Sequence, residues 1–162
     1  MNDVEIVPFE LRHKDAVIDL TVRAWTPVFA KTRTDVPRFV YDAFYPDGWE
    51  PRQKADVAAL LDTEPENFWL ALVGRELAGF VGIRIHPEDR MGEIQIIAVA
   101  PAHQRQGIAR QLMAFAERHV RSAGMTMIMV ETVGDAGHEP ARRAYEEFGF
   151  TPWPVARYFK PL

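Results

Sequence analysis

The chain is 162 residues long, 48% of them hydrophobic, and it carries a formal net charge of −4 with no cysteine. This length and composition predict one domain, residues 1–162, with a continuous core, and the acidic total argues against general nucleic-acid binding. The lack of cysteine excludes disulfides, thiolate metal sites and an enzyme-bound thioester, and the five scattered histidines show no metal-ligand spacing, so no metal is expected.

The first 66 residues predict one strand followed by helices. Val4 to Phe9 alternates in the manner of a strand, and the charges around it do not fit the apolar segment of a signal peptide. Residues 13–25 and 52–61 have helical spacing, whereas 26–49 mixes aromatics, prolines and acids, which is typical of short helical pieces and loops. No apolar run reaches the length of a membrane helix, so a cytoplasmic chain without a membrane partner is expected.

The remainder of the chain predicts a sheet with helices on both faces. The expected elements are, in order, strands at 68–73, 77–85 and 93–100, a helix at 107–123, a strand at 125–132, a helix at 140–148 and final strands at Phe150 and 158–160. The strand–helix–strand order around residue 115 implies a parallel pair with a crossover. The expected architecture is a mixed sheet of class α+β.

The turn between the strand at 93–100 and the following helix is rich in hydrogen-bond donors. Gly107 and Ala109 carry almost no side chain, so a ligand is able to approach the main chain closely. Amides at the start of a helix lack internal partners, and with the positive end of the helix dipole they form a site for phosphate oxygens. Residues 101–124 hold four arginines, Arg105 and Arg110 among them, against one glutamate, and this sum of +3 suits an anionic ligand.

This turn resembles the Q/R-x-x-G-x-G/A signature of the GNAT superfamily of N-acetyltransferases, in the run Val99-Ala100-Pro101-Ala102-His103-Gln104-Arg105-Gln106-Gly107-Ile108-Ala109-Arg110. In that family the loop holds the pyrophosphate of coenzyme A, and the acyl-pantetheine arm runs beside the preceding strand. The resemblance implies acetyl-CoA as cosubstrate, an amine as acceptor, and a central mixed sheet of six to seven strands flanked by about four helices. The cofactor-binding residues that it implies are Ile97, Ala98, Val99, Gln104, Arg105, Gln106, Gly107, Ile108, Ala109 and Arg110.

A second signature lies at the C-terminal end, in Ala141-Arg142-Arg143-Ala144-Tyr145-Glu146-Glu147-Phe148-Gly149-Phe150. It looks like the family's A-x-x-x-Y-x-x-x-G-F, whose tyrosine is able to protonate the leaving thiolate. The resemblance assigns Tyr145 as general acid, against the alternative that it only packs in the core with Ala141 and Phe148. Many relatives have an asparagine where this chain has His138, so His138 is expected to contact the cofactor, to act as a base or to lie in an ordinary loop.

A base for the amine is also expected. Glu93 shares even spacing with Gln95, Ile97 and Val99, which places it nominally on their face of the strand as the candidate base. Glu131, late on the next strand, is the rival, and either carboxylate has the alternative of a solvated strand end. Because no cysteine is present, the amine is expected to attack directly in a ternary complex.

The acceptor is expected to be a small cationic amine. Residues 35–66 hold eight acids against three basic residues, a sum of −5, and aromatic walls with carboxylates suit a protonated amine. The residues of this group are Trp25, Phe29, Tyr41, Phe44, Tyr45 and Trp49 with Asp35, Asp42 and Asp47. The alternatives are a protein N-terminus or lysine as acceptor, or a non-catalytic acyl-CoA sensor, and a homodimer is left open.

Overall fold

Five strands form one sheet, and their spatial order follows the order of the chain. The structure is a computed structural model that describes residues 3–162. The strands are β1 Val4–Pro8, β2 Phe68–Val73, β3 Glu76–His86, β4 Met91–Val99 and β5 Met127–Val130. The helices are α1 Lys14–Asp35, α2 Arg38–Phe44, α3 Trp49–Thr63, α4 Ile108–Ser122 and α5 Glu139–Phe148. Neighbouring strands are antiparallel except β4 and β5, which run parallel because α4 crosses between them.

The two faces of the sheet are covered by different helices. On one face, α1 and α3 pack through Leu20 and Leu61 against Phe68 and Phe80, and all four side chains are fully buried. On the other face, α4 packs an apolar stripe around Leu112 against the sheet, and α5 adds to the same cluster. The predicted α+β class is therefore confirmed, but the sheet has five strands within the described residues 3–162 instead of six to seven. Within residues 3–162, no helix is both long and apolar enough to cross a membrane.

A β-bulge divides β4 into two parts. Ile94 and Ile96 pair with consecutive residues of β3, so Gln95 between them is an extra residue in this strand. Ile94 and Ile97 both point to the α4 face, which shows that the alternation shifts by one residue at the bulge. β5 pairs with β4 only over the first four residues of β4. Beyond the bulge no strand within residues 3–162 pairs with this edge of β4, and the space beside the C-terminal part of β4 that is free of a ladder partner is called the open cleft below.

Helix α1 continues to Asp35, beyond its predicted end at residue 25. It passes through Pro27, which lacks the N–H that would bond to the preceding turn. The additional turns bury Phe29 and Thr32, and these tertiary contacts offset the lost hydrogen bond. The prediction of short helical pieces and loops over 26–49 is thus wrong for its first part and correct for the rest, where the short helix α2 lies between loops.

The final strands predicted at Phe150 and 158–160 are not formed. Residues 151–162, the C-terminal tail, have no regular secondary structure and are exposed throughout. Phe150 stays against α5, where its N–H donates to the Tyr145 carbonyl at 3.0 Å. A strand requires a neighbour to complete its ladder, and no part of residues 3–162 forms a ladder with the tail. The outer edge of β5 is unpaired within residues 3–162, but the tail runs toward α2, where the ring of Phe159 meets that of Phe44.

Candidate active site

The turn between β4 and α4 is shaped by two left-handed residues. After a single 3-10 turn at 101–103, Arg105 and Gly107 have φ values of 59° and 80°. For the non-glycine Arg105 this conformation costs about 1–2 kcal/mol, and strain of this kind is concentrated at functional sites. Left-handed residues within a turn direct successive N–H groups to one side, which is the geometry of an anion-binding nest.

The amides of this turn have no partners in the chain. None of the six N–H groups from Arg105 to Arg110 donates a hydrogen bond to a main-chain or side-chain acceptor within residues 3–162. A Cβ atom placed on Gly107 would meet no heavy atom within 4 Å, so the surroundings of the turn are open. A row of unpartnered amides at a helix N-terminus fits a diphosphate, so the turn has the geometry that the predicted ligand would require.

Two glutamine side chains donate hydrogen bonds to main-chain carbonyls that precede them in the chain. Gln104 Nε2 donates to the Val99 carbonyl at 3.2 Å, and Gln106 Nε2 donates to the Ala102 carbonyl at 3.1 Å. Both bonds tie the turn to the chain that precedes it and leave its own amides uncovered. The two predicted glutamines therefore support the turn through their side chains. Gln106 offers a ligand its main-chain N–H, whereas that of Gln104 donates to the Pro101 carbonyl.

The remaining predicted residues of the turn differ in the groups that they offer to a ligand. Arg105 and Arg110 are exposed and lie beside the amides. The Arg110 guanidinium also lies over the ring of Phe148, 5.7 Å from its centre, which directs it toward α5. Ile108 is buried in the core and Ala109 is half-buried, so each contributes its amide but no polar side chain.

The main chain of β4 presents hydrogen-bonding groups to the open cleft. The Ala100 N–H donates to the Ala78 carbonyl of β3 at 2.8 Å. Because alternate residues of a strand aim their amides at opposite neighbours, those of Ala98 also face β3, and those of Ile97 and Val99 face the cleft. The predicted contacts at Ile97 and Val99 thus have main-chain groups on the cleft side, of which the Val99 carbonyl already accepts from Gln104 Nε2. Ala98 has none on that side.

Tyr145 lies on α5, with its ring in the cluster that α4 forms with the sheet. The ring meets that of Phe150 edge-on, with the centroids 6.0 Å apart. Burial raises the pKa of Tyr145 to about 12, so the hydroxyl stays protonated at neutral pH and remains a donor. Ile97 and Val99 pack in the same cluster, so all three side chains lie on the α4 face of the sheet.

His138 precedes α5 and is held by a buried carboxylate. Its Nδ1 is hydrogen-bonded to Asp135, which is 6% exposed and also accepts the hydroxyl of Thr32 in α1. Burial acts to raise the pKa of Asp135, but the hydrogen bonds from Thr32 and His138 outweigh it and hold the pKa below its ordinary value. Only Nε2 of His138 is left for a cofactor contact. Asp135 and Thr32, 103 residues apart, were missed because nothing local in the sequence connects them.

Glu93 does not share a face with Ile97 and Val99, so the prediction from even spacing is wrong. The extra residue Gln95 reverses the alternation, and Glu93 points to the face that carries α1 and α3. Its carboxylate lies 2.7 Å from His86 Nε2, and the two side chains are 23% and 24% exposed. The two groups form a polar pair that is partly shielded from solvent but still reachable.

A second polar pair lies on the same face and was missed by the sequence analysis. Arg84 Nη2 is 2.6 Å from Glu64 Oε1, and the side chain of Gln95 lies beside them. The hydrogen bond from Arg84 lowers the pKa of Glu64, so this carboxylate is ionised and its charge is matched. The signal that could have found the pair is the placement of Arg84 and His86 two residues apart on an otherwise apolar strand.

The aromatic side chains that were predicted to bind the acceptor do form a cluster. The cation that lies on this cluster is an arginine of the chain itself. Phe29 stacks on Trp49 with the centroids 4.5 Å apart, and Tyr45 meets Phe29 edge-on at 5.3 Å. The Arg52 guanidinium lies 5.4 Å from the centre of the Phe44 ring and 5.6 Å from that of Tyr45. Arg52 therefore occupies the cation–π position that was expected to receive an acceptor amine.

Two of the predicted acceptor carboxylates are likewise engaged. Asp35 accepts the Ala136 N–H at 2.7 Å, and Asp42 lies 3.4 Å from Arg38 on the exposed surface of α2. Trp25 packs against the core cluster of the α1 and α3 face. The residues from 25 to 49 thus serve mainly to build and dock the helices, and the polar pairs on the sheet are the better candidates for an acceptor site.

A model of the acetyltransferase (GNAT) family matches residues 35–150, which is more than half of the chain. The chain belongs to this family. Over 88 residues it is 36% identical to a mycothiol acetyltransferase of Streptomyces bingchenggensis, a match that covers 54% of the chain and 28% of that relative. The matches cover only 28% and 54% of the lengths of the first two curated relatives.

Two solved structures share the fold over nearly the whole length of this chain and of their own chains. One is a PaiA N-acetyltransferase of Thermoplasma acidophilum in complex with coenzyme A, with a TM-score of 0.68 and 13% identity over 95% of this chain and 93% of that one. The other is an aminoglycoside N-acetyltransferase in complex with coenzyme A, with a TM-score of 0.64 and 15% identity over 98% and 95%. At these identities the likeness establishes the fold alone.

Proposed function

We propose that the chain is an acetyl-CoA-dependent N-acetyltransferase. The observation that carries the proposal is the row of unpartnered amides from Arg105 to Arg110, which fits a diphosphate at the N-terminus of α4. Membership of the acetyltransferase (GNAT) family supports it. Acetyl-CoA would supply the acyl group as a thioester, and the chain's own residues would hold it and move the protons.

The cleft beside β4 is proposed to hold the pantetheine arm through the main chain of Ile97 and Val99. A backbone N–H in this stretch would polarise the thioester carbonyl and stabilise the developing oxyanion. Tyr145, which burial keeps protonated, is proposed to donate to the leaving thiolate. Because the chain has no cysteine to carry the acyl group, the amine attacks the thioester directly in a ternary complex.

Glu93 is proposed as a base that acts through water. Four strand positions separate Glu93 from Ile97, which at about 3.3 Å per residue corresponds to roughly 13 Å. A carboxylate at that separation does not contact an amine placed at the thioester, so water must complete the path. His86, 2.7 Å from Glu93, extends the path by one more group. Glu131 is exposed beyond the end of β5 and has no such neighbour within residues 3–162.

A small cationic amine is proposed as the acceptor. Glu64 and Glu93 lie on the same face of the sheet near the bulge, and only Glu64 is matched by an arginine. Glu93 therefore attracts a cation to the face of β4 that carries α1 and α3. The names of similar proteins support small acceptors, since one is a mycothiol acetyltransferase and another is an aminoglycoside N-acetyltransferase.

A panel of amines with acetyl-CoA tests the proposal, with the release of free thiol followed by a thiol reagent. The chain has no cysteine, so the reagent reports only coenzyme A. We expect turnover with small polycationic amines, and kcat/KM values at least about fivefold lower with neutral amines of similar size, because a single charge interaction is worth about 1 kcal/mol or more.

Two other outcomes would each contradict part of the proposal. Acetyl-CoA binding without thiol release for any amine would make the chain a sensor and remove the enzymatic assignment. Turnover confined to peptides with a free N-terminus or lysine would keep the chemistry and replace the acceptor.

A further inference from the structure

Arg84 stands directly opposite the proposed base on the neighbouring strand. In the antiparallel ladder between β3 and β4, the Cα atom of Arg84 pairs with that of Glu93. Side chains in directly opposed positions have Cβ atoms about 4.5–5.5 Å apart, and opposite charges in such a pair attract each other. An ion pair between these two residues is therefore the arrangement that the register alone predicts.

These two side chains, both in the part of the chain that the structure describes, form no ion pair with each other. Arg84 turns instead to Glu64, whose Oε1 lies 2.6 Å from Arg84 Nη2, while Glu93 pairs with His86. The hydrogen bond to Glu64 is the largest cause that raises the pKa of Arg84, and the charge of Glu93 makes a smaller contribution. The arginine is thus held by a carboxylate from another element, although Glu93 is close enough to act on it.

Glu64 is fixed in position at the end of α3. It follows Thr63, the last residue of that helix, and its N–H donates to the Leu60 carbonyl at 2.9 Å. Its second carboxylate oxygen, Oε2, accepts a hydrogen bond from Asn67 Nδ2 at 3.0 Å. The hydrogen bond from Arg84 holds the pKa of Glu64 below its ordinary value. Glu64 is therefore ionised at neutral pH and presents a full negative charge to the arginine.

Gln95 holds the same guanidinium from the side of β4. With its amide oxygen turned toward Arg84, it accepts from Nε at 2.6 Å and from Nη2 at 2.8 Å. Nε carries one N–H group and Nη2 carries two, so the two bonds to Gln95 and the one to Glu64 account for all three. Glu64 and Gln95 together therefore occupy this edge of the guanidinium and turn it away from Glu93.

Glu93 keeps one free oxygen as a result. Within residues 3–162 its side chain has a single hydrogen-bond partner, His86 Nε2, which lies 2.7 Å from Oε2. Oε1 is left without a partner in that range, and at 23% exposure the side chain is still reachable by water. A carboxylate that pairs with a guanidinium holds its charge more firmly and accepts a proton less readily. The free Oε1 therefore depends on where Arg84 is held.

We propose that Glu64 is a positioning residue that keeps Arg84 away from Glu93, so that Glu93 stays available to accept a proton and to attract a cationic amine. The inference rests on the proposed function, in which Glu93 acts as a base through water. In that step the amine gives its proton to the water, and the water gives one to Glu93 Oε1. An arginine on Glu93 would take this oxygen and cancel the charge that selects the acceptor.

A double-mutant cycle tests this role, with thiol release from acetyl-CoA and the best cationic amine as the readout. Glu64→Gln removes the charge that holds Arg84, and we expect kcat/KM to fall by at least about tenfold. The loss stays below the roughly 10²–10⁴-fold that proton transfer by a positioned side chain contributes, because Glu93 is still present. In the Arg84→Gln chain no cation is released toward Glu93, so we expect the same Glu64→Gln change to alter kcat/KM by less than about twofold.

Asp62→Asn is the matched control for Glu64→Gln. Asp62 is also an acid near the end of α3, and its Oδ1 lies 2.6 Å from Lys14 Nζ, the same distance as in the pair of Glu64 with Arg84. The control removes one negative charge and releases a cation that has no position opposite Glu93 in the sheet. We expect it to leave kcat/KM unchanged. Equal losses in the two variants, or a loss from Glu64→Gln that persists in the Arg84→Gln chain, overturn the inference.

NMR of the arginine side chains tests the movement of Arg84 without any turnover. Its Nε–H signal is assigned by its loss in Arg84→Gln. We expect Glu93→Gln to displace this signal further in the Glu64→Gln chain, where the arginine lies against Glu93, than in the wild-type chain. Equal displacements mean that the arginine does not move, which overturns the inference and leaves the N-acetyltransferase assignment intact. The expected displacements in a chain that acetylates no amine would support the placement of Arg84 and remove the proposed function.

Discussion

Gly107→Glu is expected to weaken coenzyme A binding by at least about 100-fold while the chain stays folded. Gly107 has a φ of 80°, which costs about 1–2 kcal/mol for any residue with a Cβ atom. The new carboxylate would also stand beside the amides that are proposed to receive the diphosphate. Two like charges about 4 Å apart near a protein surface repel by up to about 4 kcal/mol, and about 2.7 kcal/mol is sufficient for a 100-fold loss. Calorimetric titration measures the change.

Gly124→Glu is the matched control for this variant. Gly124 follows the other end of α4, has a φ of 81°, and a Cβ placed on it would meet no heavy atom within 4 Å. It therefore reproduces the backbone strain and the added charge without touching the proposed site. We expect Gly124→Glu to lose a similar amount of stability and to bind coenzyme A normally. Equal affinities in the two variants would contradict the assignment of the turn.

Tyr145→Phe is expected to lower kcat by about 100-fold and to leave the KM for acetyl-CoA nearly unchanged. The substitution keeps the ring that packs against Phe150 and removes only the hydroxyl. Positioned proton donors contribute roughly 10²–10⁴-fold to a rate. We take the lower end, because a phenol whose pKa is raised to about 12 transfers its proton to a thiolate less readily than an unperturbed one. Steady-state kinetics with the best amine separate the two constants.

Tyr158→Phe provides the comparison for Tyr145→Phe. It makes the same chemical change at a tyrosine that is 92% exposed in the tail, and it is expected to leave kcat unchanged. If Tyr145→Phe also turns over at the wild-type rate, Tyr145 is a packing residue, and another group or water protonates the thiolate.

The geometry of the turn between β4 and α4 was predictable because its determinants are local. Gly107, the helix that follows it and the adjacent arginines lie within a few residues of one another, and a helix N-terminus has the same unpartnered amides in any fold. The left-handed conformation of Gly107 agrees with its residue type. The conformation of Arg105 does not follow from residue type, because arginine is seldom left-handed, and only the structure reveals it.

The faces of β4 were not predictable because they depend on pairing between strands. Alternation alone puts Glu93 on the face of Ile97 and Val99, and one extra residue at Gln95 reverses that relation. The signal for a bulge is the register with β3, which is a property of two strands and is absent from either one alone. The partnership of Glu93 with His86 follows from the same register.

Long-range contacts account for the other differences. Pro27 is a valid stop signal for a helix, yet α1 continues because Phe29 packs on Trp49 and Thr32 binds Asp135. The cation expected on the aromatic cluster is supplied by Arg52 of the chain itself. In each case the local pattern was interpreted correctly, and a residue far away in sequence or on another helix changed the outcome.

The most direct test of the account follows the amide signals of the chain by NMR during titration with two ligands, coenzyme A and pantetheine. Pantetheine lacks the diphosphate and is able to reach only the cleft beside β4. We predict that coenzyme A shifts the amide signals of residues 105–110, and that pantetheine leaves them in place. Unmoved signals from 105–110 at saturating coenzyme A would contradict the claim that these amides receive the diphosphate.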